Sequence, residues 1–228
     1  MPRAATLRAA LLILTLGALP AAAAEEAVQL SGGYGLLNAP ARPSAAVVLI
    51  PGGNGYLGIR PDGSFSGLRG NQLVRTRAAY ASAGVASLVI DAGVSASSAI
   101  TYLRTRFNKP VTVVATSRGT LQLAGALSAR PNGMAITAGF LNEIRGQIGS
   151  AASLPPTLVV HHRQDGCRFT PPSGVEPFKA WGGARVRVVW MDGGQDRGDP
   201  CQAAGYHGFA GQDGRVVGTV AGFAKGVR

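Results

Sequence analysis

The stretch VTVVATSRGTLQL, Val111–Leu123, decides the fold and raises the question of what Ser117 does. The residues before the serine are mostly β-branched, which predicts a buried strand, and those after it have the apolar spacing of a helix. Small residues flank this junction, with Ala115 two positions before the serine and Gly119 two positions after it. Ser117 is therefore either a nucleophile held out on a sharp strand-to-helix turn or an ordinary helix N-cap.

Strands and helices alternate on both sides of this stretch. Besides the strand that precedes Ser117, apolar runs predict strands at 45–50, 85–90, 134–140, 157–162 and 184–190. Besides the helix that follows Ser117, helices are predicted at 71–84, 95–107, 174–181 and 214–226. Apolar strands separated by helices indicate an α/β fold, with a mostly parallel central sheet flanked by helices on both faces. Such sheets bind ligands at the carboxyl ends of their strands.

Residues 1–24 have the pattern of a secretory signal peptide. Arg3 and Arg8 precede a short apolar run, and small residues follow up to Ala24, after which cleavage is predicted. The apolar run is too short for a permanent membrane helix, so no stable membrane anchor is expected. The sequence therefore predicts an exported protein, periplasmic or secreted, whose residues 25–228 form a single domain.

The chain is basic, with a formal net charge of +11 over 228 residues. Its basic residues are dispersed, with no run longer than RVR and no interleaved aromatic residues. This distribution is more typical of a solvated arginine-rich surface than of a nucleic-acid site. No nucleic acid is expected as a partner, and whether the basic surface binds anything else stays open.

A glycine-rich segment, PGGNGYLG at 51–58, follows the first predicted strand. Gly52, Gly53 and Gly55 allow backbone N–H groups to turn toward a ligand without obstruction by a Cβ atom. A simple glycine-rich turn is the alternative. A phosphate-binding loop is disfavoured, because the lysine and the following Ser or Thr of that motif are missing.

Two further polar residues stand at predicted strand ends or in loops. Asp165 follows the strand at 157–162, and His207 precedes the last helix. Some known catalytic triads have the chain order nucleophile, orienting acid, base, and Ser117, Asp165 and His207 follow this order. Order alone is weak support, whereas the position of each residue at a strand end or loop is stronger.

The two cysteines connect these loops. Cys167 lies two residues after Asp165, and Cys201 lies six residues before His207. In an oxidising compartment a single pair of this kind predicts a disulfide, which would tie the aspartate loop to the histidine loop. No histidine or further cysteine stands at zinc-ligand spacing, so neither a metal nor another cofactor is expected.

Other polar residues have weaker claims to the site. His161 and His162 lie within a predicted strand and are expected to be core or supporting groups rather than catalytic ones. Asp91 is expected to cap a helix or stabilise a loop. A solvated loop is favoured over a rival acid or a weak calcium site for three further aspartates, Asp192, Asp196 and Asp199.

Several of these segments resemble the α/β-hydrolases, and more closely a group of small exported bacterial members. They are YGLLNAP, VVLIPGGNGYLG, GNQLVRTRAAYASAG, VTVVATSRGT, LVVHHRQDGCRFTPP and CQAAGYHGF, which run from Tyr34 nearly to the end of the chain. The resemblance implies that Ser117 is the nucleophile, His207 the base and Asp165 the group that orients the base. It also implies an oxyanion hole formed by the backbone N–H groups of Arg118 and of Gly53 or Asn54.

The resemblance implies a serine hydrolase of the carboxylesterase-like kind that acts on a small-molecule ester. An amidase, peptidase or thioesterase with the same triad is the alternative, as is a non-catalytic exported binding protein on a hydrolase scaffold. The link after Ile90 is short and no long insertion follows Phe140, so an open cleft without a large lid is expected. The oligomeric state and the physiological substrate stay open.

Overall fold

Eight strands form one sheet in the part of the chain that the computed structural model describes, which is residue 1 and residues 25–228. The predicted signal peptide, residues 1–24, lies outside the described residues apart from residue 1. The strands are β1 (Glu26–Leu30), β2 (Gly33–Asn38), β3 (Ala45–Ile50), β4 (Val85–Ile90), β5 (Val111–Thr116), β6 (Gly133–Thr137), β7 (Thr157–His162) and β8 (Val186–Met191). Their order across the sheet is β1-β2-β4-β3-β5-β6-β7-β8.

The sheet is mostly parallel, as the sequence predicts. Strands β3 to β8 pair in parallel, whereas β2 pairs antiparallel with both β1 and β4. Every residue of β3 to β7 is buried, which is why these strands are mostly apolar on both faces rather than alternating between apolar and polar residues. Their carboxyl ends lie at one edge of the sheet, and the loops that leave this edge carry the candidate site.

Helices cover both faces of the sheet. They are α1 (Gln72–Arg75), α2 (Arg77–Ser82), α3 (Ala96–Phe107), α4 (Leu123–Ala126), α5 (Leu141–Ile148), α6 (Val175–Gly182) and α7 (Asp213–Gly226). Helices α1, α2 and α7 pack on one face in a core that includes Leu49 and Val220. Helices α3 to α6 pack on the other face, in a core that includes Val48 and Ile100. Adjacent residues of a strand, such as Val48 and Leu49, therefore enter opposite cores.

Two predicted helices differ from the observed ones. The helix predicted at 71–84 is interrupted at Thr76, whose hydroxyl donates to the Gln72 carbonyl at 2.7 Å. A threonine that bonds back to the preceding turn in this way competes with regular helix geometry. The helix predicted directly after Ser117 begins as a 3-10 turn, Ser117–Gln122, and only then becomes α4.

Two predicted strands have different bounds. The strand predicted at 134–140 ends at Thr137, because Ala138 adopts a left-handed conformation with φ of 44°. The strand predicted at 184–190 is shifted to β8, because a 3-10 turn begins at Gly183, whose φ is 56°. A φ near 50° is incompatible with extended backbone, so β6 ends before Ala138, and the turn at Gly183–Arg185 delays the start of β8 to Val186.

The structure contains two elements that the sequence did not predict, the hairpin β1–β2 and helix α5. The hairpin β1–β2 extends one edge of the sheet, and its outer strand is only partly buried, so its hydrophobic pattern is weak. Helix α5 has only eight residues, of which only Leu141 and Ile144 are buried. Two buried positions are too few to establish a helical period.

Within residues 25–228, the two connections for which the sequence predicted no lid insertion are short, as expected. Only residues 138–140 connect β6 to α5, and only residues 91–95 connect β4 to α3. Within residues 25–228, no helix has both the length and the apolar character needed to cross a membrane.

Candidate active site

A cavity of about 480 Å³ opens at the carboxyl edge of the sheet. Ser117, directly after β5, and His207, in the loop before α7, both line it. Asp165, three residues beyond β7, lies behind the histidine. The fold therefore brings the three residues singled out in the sequence to one region, from positions 42 to 90 residues apart in the chain.

Ser117 stands on a sharp turn. Its φ is 51°, a left-handed conformation that few residues other than glycine adopt. Two hydrogen bonds hold the backbone there: Ser117 N–H donates to the Ala138 carbonyl at 3.1 Å, and Thr120 Oγ1 donates to the Ser117 carbonyl at 2.6 Å. Within residues 25–228, the N-cap position of the 3-10 turn that follows β5 is Thr116 and not Ser117, whose hydroxyl makes no hydrogen bond there. Ser117 is therefore a partly exposed residue on a sharp turn and not an N-cap.

Close backbone packing around the serine requires glycine at two positions. A Cβ atom on Gly119 would overlap the Pro51 carbonyl oxygen and lie 2.6 Å from the Ile50 carbonyl oxygen. A Cβ atom on Gly52 would lie 2.9 Å from Ser117 Cβ. The loop after β3 and the turn after β5 can approach this closely only because both residues lack a side chain.

The loop after β3 presents a candidate oxyanion-hole donor. Gly53, with φ of 64°, lines the same cavity as Ser117, and so does Arg118. Asn54 instead lines a neighbouring cavity of about 330 Å³, and its side chain accepts from the Tyr56 N–H at 3.0 Å. Gly53 and Asn54 were the two oxyanion-hole donors proposed from the sequence for this loop. Of these, Gly53 lines the cavity that Ser117 also lines.

Asp165 and His207 form a buried pair. His207 Nδ1 lies 3.0 Å from Asp165 Oδ2 and 3.3 Å from Oδ1, and each residue is 5% exposed. Asp165 Oδ1 also accepts from the Cys167 N–H at 2.9 Å, and Oδ2 accepts from Thr170 Oγ1 at 3.0 Å. Because the carboxylate only accepts, the imidazole donates from Nδ1, and the neutral ring carries no proton on Nε2. That tautomer suits a general base.

Ser117 and His207 share the cavity but are not directly bonded. No hydrogen bond joins the Ser117 hydroxyl to the His207 ring among the described residues. Such contacts are often long in a free enzyme and shorten when substrate binds. The arrangement therefore holds two of the three candidate triad side chains in contact and places the third on the same cavity.

The disulfide predicted between Cys167 and Cys201 is present. Its Cα atoms lie 4.5 Å apart across a sequence separation of 34 residues, and both cysteines line the cavity. The bridge joins the loop that carries Asp165 to the loop that carries His207. These are the loops that the sequence predicted it would join.

Arg75 holds the histidine loop from the other side. Its guanidinium donates to the Gly208 carbonyl and to the Gly70 carbonyl, both at 2.6 Å, and pairs with Asp213 at 2.7 Å. Arg75 is not among the candidate site residues predicted from the sequence. Nothing near Arg75 in the sequence indicates these contacts, because Asp213 is 138 residues away.

His161 and His162 have supporting positions, as expected. His161 is fully buried and donates from Nε2 to the Thr170 carbonyl at 2.9 Å. Burial lowers its pKa, although the nearby Asp165 carboxylate opposes this effect, so the ring is neutral at pH 7. His162 bonds the Gly193 carbonyl at 2.9 Å and stacks on the Tyr206 ring at 4.4 Å.

The other aspartates also behave as expected. Asp91 accepts from the Leu57 N–H at 2.6 Å and the Ile59 N–H at 2.8 Å, and so stabilises that loop. Asp192 faces Arg163 in a loop, 192–200, whose residues are all exposed. In the part of the chain with described coordinates, no group of three or more His, Cys, Asp or Glu side chains could hold a metal ion.

Comparison with known proteins identifies the fold. No protein-family model and no curated protein sequence matches this chain. Solved structures do match. TT1662 from Thermus thermophilus is 16% identical with a TM-score of 0.65, over 90% of this chain and 99% of that one. A dienelactone hydrolase from Anabaena variabilis is 16% identical with a TM-score of 0.62, over 90% of this chain and 96% of that one.

A third similar structure belongs to a protein that is described as having no lid. XC6422 from Xanthomonas campestris, described as an α/β serine hydrolase without a lid, is 14% identical with a TM-score of 0.58. The match covers 91% of this chain and 94% of that one. The sheet order, the turn at Ser117 and these matches together establish that the chain has the α/β-hydrolase fold.

Proposed function

We propose that the protein is a serine hydrolase that cleaves small esters through an acyl-enzyme on Ser117. His207 is the general base, and Asp165 orients it. The observation that supports this most is the buried Asp165–His207 pair beside a cavity onto which a left-handed turn presents Ser117. A binding protein without catalytic activity would not require a carboxylate-bound imidazole at this place.

The first half of the reaction forms the acyl-enzyme. Ser117 Oγ attacks the ester carbonyl carbon while His207 Nε2 takes its proton, and Asp165 stabilises the resulting imidazolium. The carbonyl oxygen becomes negatively charged and accepts from the backbone N–H groups of Gly53 and Arg118, which contribute about 3 kcal/mol each. The intermediate then expels the alcohol, which receives the proton from His207.

The second half restores the enzyme. Water attacks the acyl carbonyl carbon, and His207 takes a proton from it. The new tetrahedral intermediate collapses with release of a carboxylic acid, and Ser117 regains its proton from His207. No group other than water is consumed, so the cycle needs no cofactor.

The cavity supports a small substrate. Leu68, Phe140 and Phe169 provide its apolar lining, and the two phenylalanine rings stack with centroids 5.8 Å apart. Among the described residues that line the cavity, none is acidic, whereas Arg118 is positively charged. Neutral or anionic esters therefore fit this site better than cationic ones. The same residues could also cleave thioesters or amides. An amide carbonyl is less reactive than an ester carbonyl.

A fluorophosphonate probe tests the proposal. The purified protein should be labelled on one serine and should hydrolyse p-nitrophenyl acetate, and Ser117→Ala should lose both activities. Ser128→Ala is the matched control, because Ser128 is an exposed serine that bonds only Ser97 and the Gly125 carbonyl. Labelling that persists in Ser117→Ala, or a wild-type protein that neither labels nor hydrolyses esters, would contradict the proposal.

Export is part of the same proposal. The Cys167–Cys201 disulfide supports an oxidising compartment, where such bonds persist. Amino-terminal sequencing of the protein recovered from the periplasm or the medium should begin at Glu25. A chain that begins at Met1 and stays in the cytoplasm would contradict it.

A further inference from the structure

We infer that Asn71 is a further catalytic residue, whose side-chain amide donates a hydrogen bond to the tetrahedral adduct on Ser117. The inference rests on the proposed serine-hydrolase activity and adds a third donor to the two backbone N–H groups of Gly53 and Arg118. Asn71 lies in the loop that leads into α1, a segment to which no role has yet been assigned.

Asn71 is a neighbour of the serine in the cavity. It lines the same cavity as Ser117 and His207. The point that a Cβ atom on Gly52 would occupy lies 2.9 Å from Ser117 Cβ and 3.5 Å from Asn71 Nδ2. Because Gly52 has no side chain, nothing at that point separates the amide nitrogen from the serine.

The orientation of the amide is fixed. Asn71 Oδ1 accepts from the Leu73 N–H at 3.1 Å, which determines which end of the amide is the oxygen and which the nitrogen. The backbone is held as well, since Asn71 N–H donates to the Leu68 carbonyl at 2.8 Å and its carbonyl accepts from the Arg75 N–H at 2.9 Å. Within residues 25–228, Asn71 Nδ2 donates to no protein acceptor. It is a pre-organised donor with an unused N–H.

Contacts of Arg75 fix the position of the Asn71 segment relative to the histidine loop. Arg75 donates to the Gly70 carbonyl, next to Asn71, and to the Gly208 carbonyl, next to His207. One side chain therefore links the segment that carries the amide to the segment that carries the base.

The chemistry favours a role in the transition state. When Ser117 attacks, negative charge develops on the former carbonyl oxygen and the adduct gains hydrogen-bond acceptor strength. A donor that is already in place stabilises this charge without reorganisation, and loss of one such donor typically lowers kcat by about 10²-fold or more. Because the uncharged substrate gains less from the same bond, KM should change less than kcat.

The variant Asn71→Ser tests the inference. Serine keeps an oxygen that can accept from the Leu73 N–H, but it removes the amide donor. We expect kcat for p-nitrophenyl acetate to fall roughly 100-fold or more, with KM changed less than about twofold. Phenylboronic acid, which forms a reversible tetrahedral adduct with serine nucleophiles, should bind roughly 10-fold more weakly to the variant.

Two further variants complete the test. Asn71→Asp keeps the shape and the accepting oxygen but replaces the donor by a negative charge, and should lose more activity than Asn71→Ser. Asn132→Ser is the matched control, because Asn132 Oδ1 also accepts from a backbone N–H, that of Val111, at the opposite edge of the sheet. Its kcat and its affinity for phenylboronic acid should equal those of the wild type.

The outcomes separate this inference from the proposed function. Wild-type kcat in Asn71→Ser or Asn71→Asp would overturn the inference and leave the serine-hydrolase proposal intact. A fall in kcat with unchanged affinity for phenylboronic acid would also overturn it, since it would indicate a structural role. A wild-type protein without labelling or esterase activity would instead contradict the proposed function.

Discussion

The two sides of the candidate site are held in different ways. On the serine side, backbone conformation does most of the positioning: Ser117 occupies a left-handed turn, and Gly119 packs against the Pro51 carbonyl. On the histidine side, His207 lies in a 3-10 turn, Tyr206–Gly208, within the long loop between β8 and α7. Side-chain bonds from distant segments hold it there, through Asp165 and Arg75.

This difference explains why the two sides should respond differently to substitution. A backbone turn tolerates little volume, so an added methyl group on the serine side should affect folding directly. A loop held by separate side-chain bonds can lose one bond and keep the fold, while the imidazole loses its alignment. The following predictions test this contrast in order of decreasing effect.

Asp165→Asn should have the largest effect, on catalysis. The asparagine amide can donate to His207 Nδ1, which moves the ring proton to Nε2 and leaves the base in the wrong tautomer. We expect kcat for p-nitrophenyl acetate to fall roughly 10³- to 10⁴-fold, with little change in fold. The control is Asp192→Asn, because Asp192 is exposed and faces only Arg163. A fall below tenfold would mean that Asp165 does not orient the histidine.

Removal of the disulfide should have the next largest effect. The double variant Cys167→Ser, Cys201→Ser should lower the free energy of unfolding by roughly 4 kcal/mol, given the 34-residue separation that the bond closes. Its kcat should fall as well, because the histidine loop loses a tether. Urea unfolding measures the stability, and dithiothreitol should bring the wild type to the same value. Equal stability of reduced and oxidised wild type would contradict this prediction.

Gly119→Ala should destabilise the serine side. The added Cβ atom would overlap the Pro51 carbonyl oxygen, and backbone atoms cannot move aside as a flexible side chain can. We expect a loss of about 3 kcal/mol in the free energy of unfolding. Gly125→Ala in α4 is the control, because no atom lies within 4 Å of its added Cβ and alanine favours a helix. Equal melting temperatures for the two variants would disprove the packing argument.

His161→Gln should have the smallest effect, on the pH dependence of stability. Burial lowers the pKa of His161 in the folded protein, so between that pKa and about 6.5 the unfolded chain binds more protons. The free energy of unfolding should therefore decrease as the pH falls through this range. The glutamine amide can replace the bond to the Thr170 carbonyl without taking up a proton.

The measurement for His161 is urea unfolding at pH 7 and pH 5. The variant should lose less stability over this range than the wild type. The charged or titrating groups near the ring, Asp165, His162 and His207, are present in both proteins, so the difference between them reports His161. Identical losses in the two proteins would show that His161 does not contribute.

Much of the fold could be predicted from local sequence. Strands β3, β4, β5 and β7 have the predicted bounds, because each is a short run of apolar residues between turn-forming residues. The disulfide could be predicted because the chain has only two cysteines. The break at Thr76 could not, since the hydroxyl's bond to the Gln72 carbonyl is one of several that a threonine can make.

The residues that support the site could not be predicted from the sequence for the same reason. Thr170 bonds the Asp165 carboxylate, but its side chain has no pattern that distinguishes it from a surface threonine. Asn71 and Arg75 lie before and within a short helix and act on segments more than 40 residues away. Pairings of this kind depend on how the loops fold over the sheet edge.

The sequence by itself determined the parallel sheet, the strand-to-helix turn at Ser117 and the identity of the two bridged cysteines. These follow from apolar runs, small residues and residue counts, which act over a few neighbouring positions. Only the tertiary structure decided that His207 meets Asp165, that Gly53 rather than Asn54 shares the serine's cavity, and that Asn71 lies beside Ser117. Each of these is a distance between segments far apart in the chain, and such distances are set by packing.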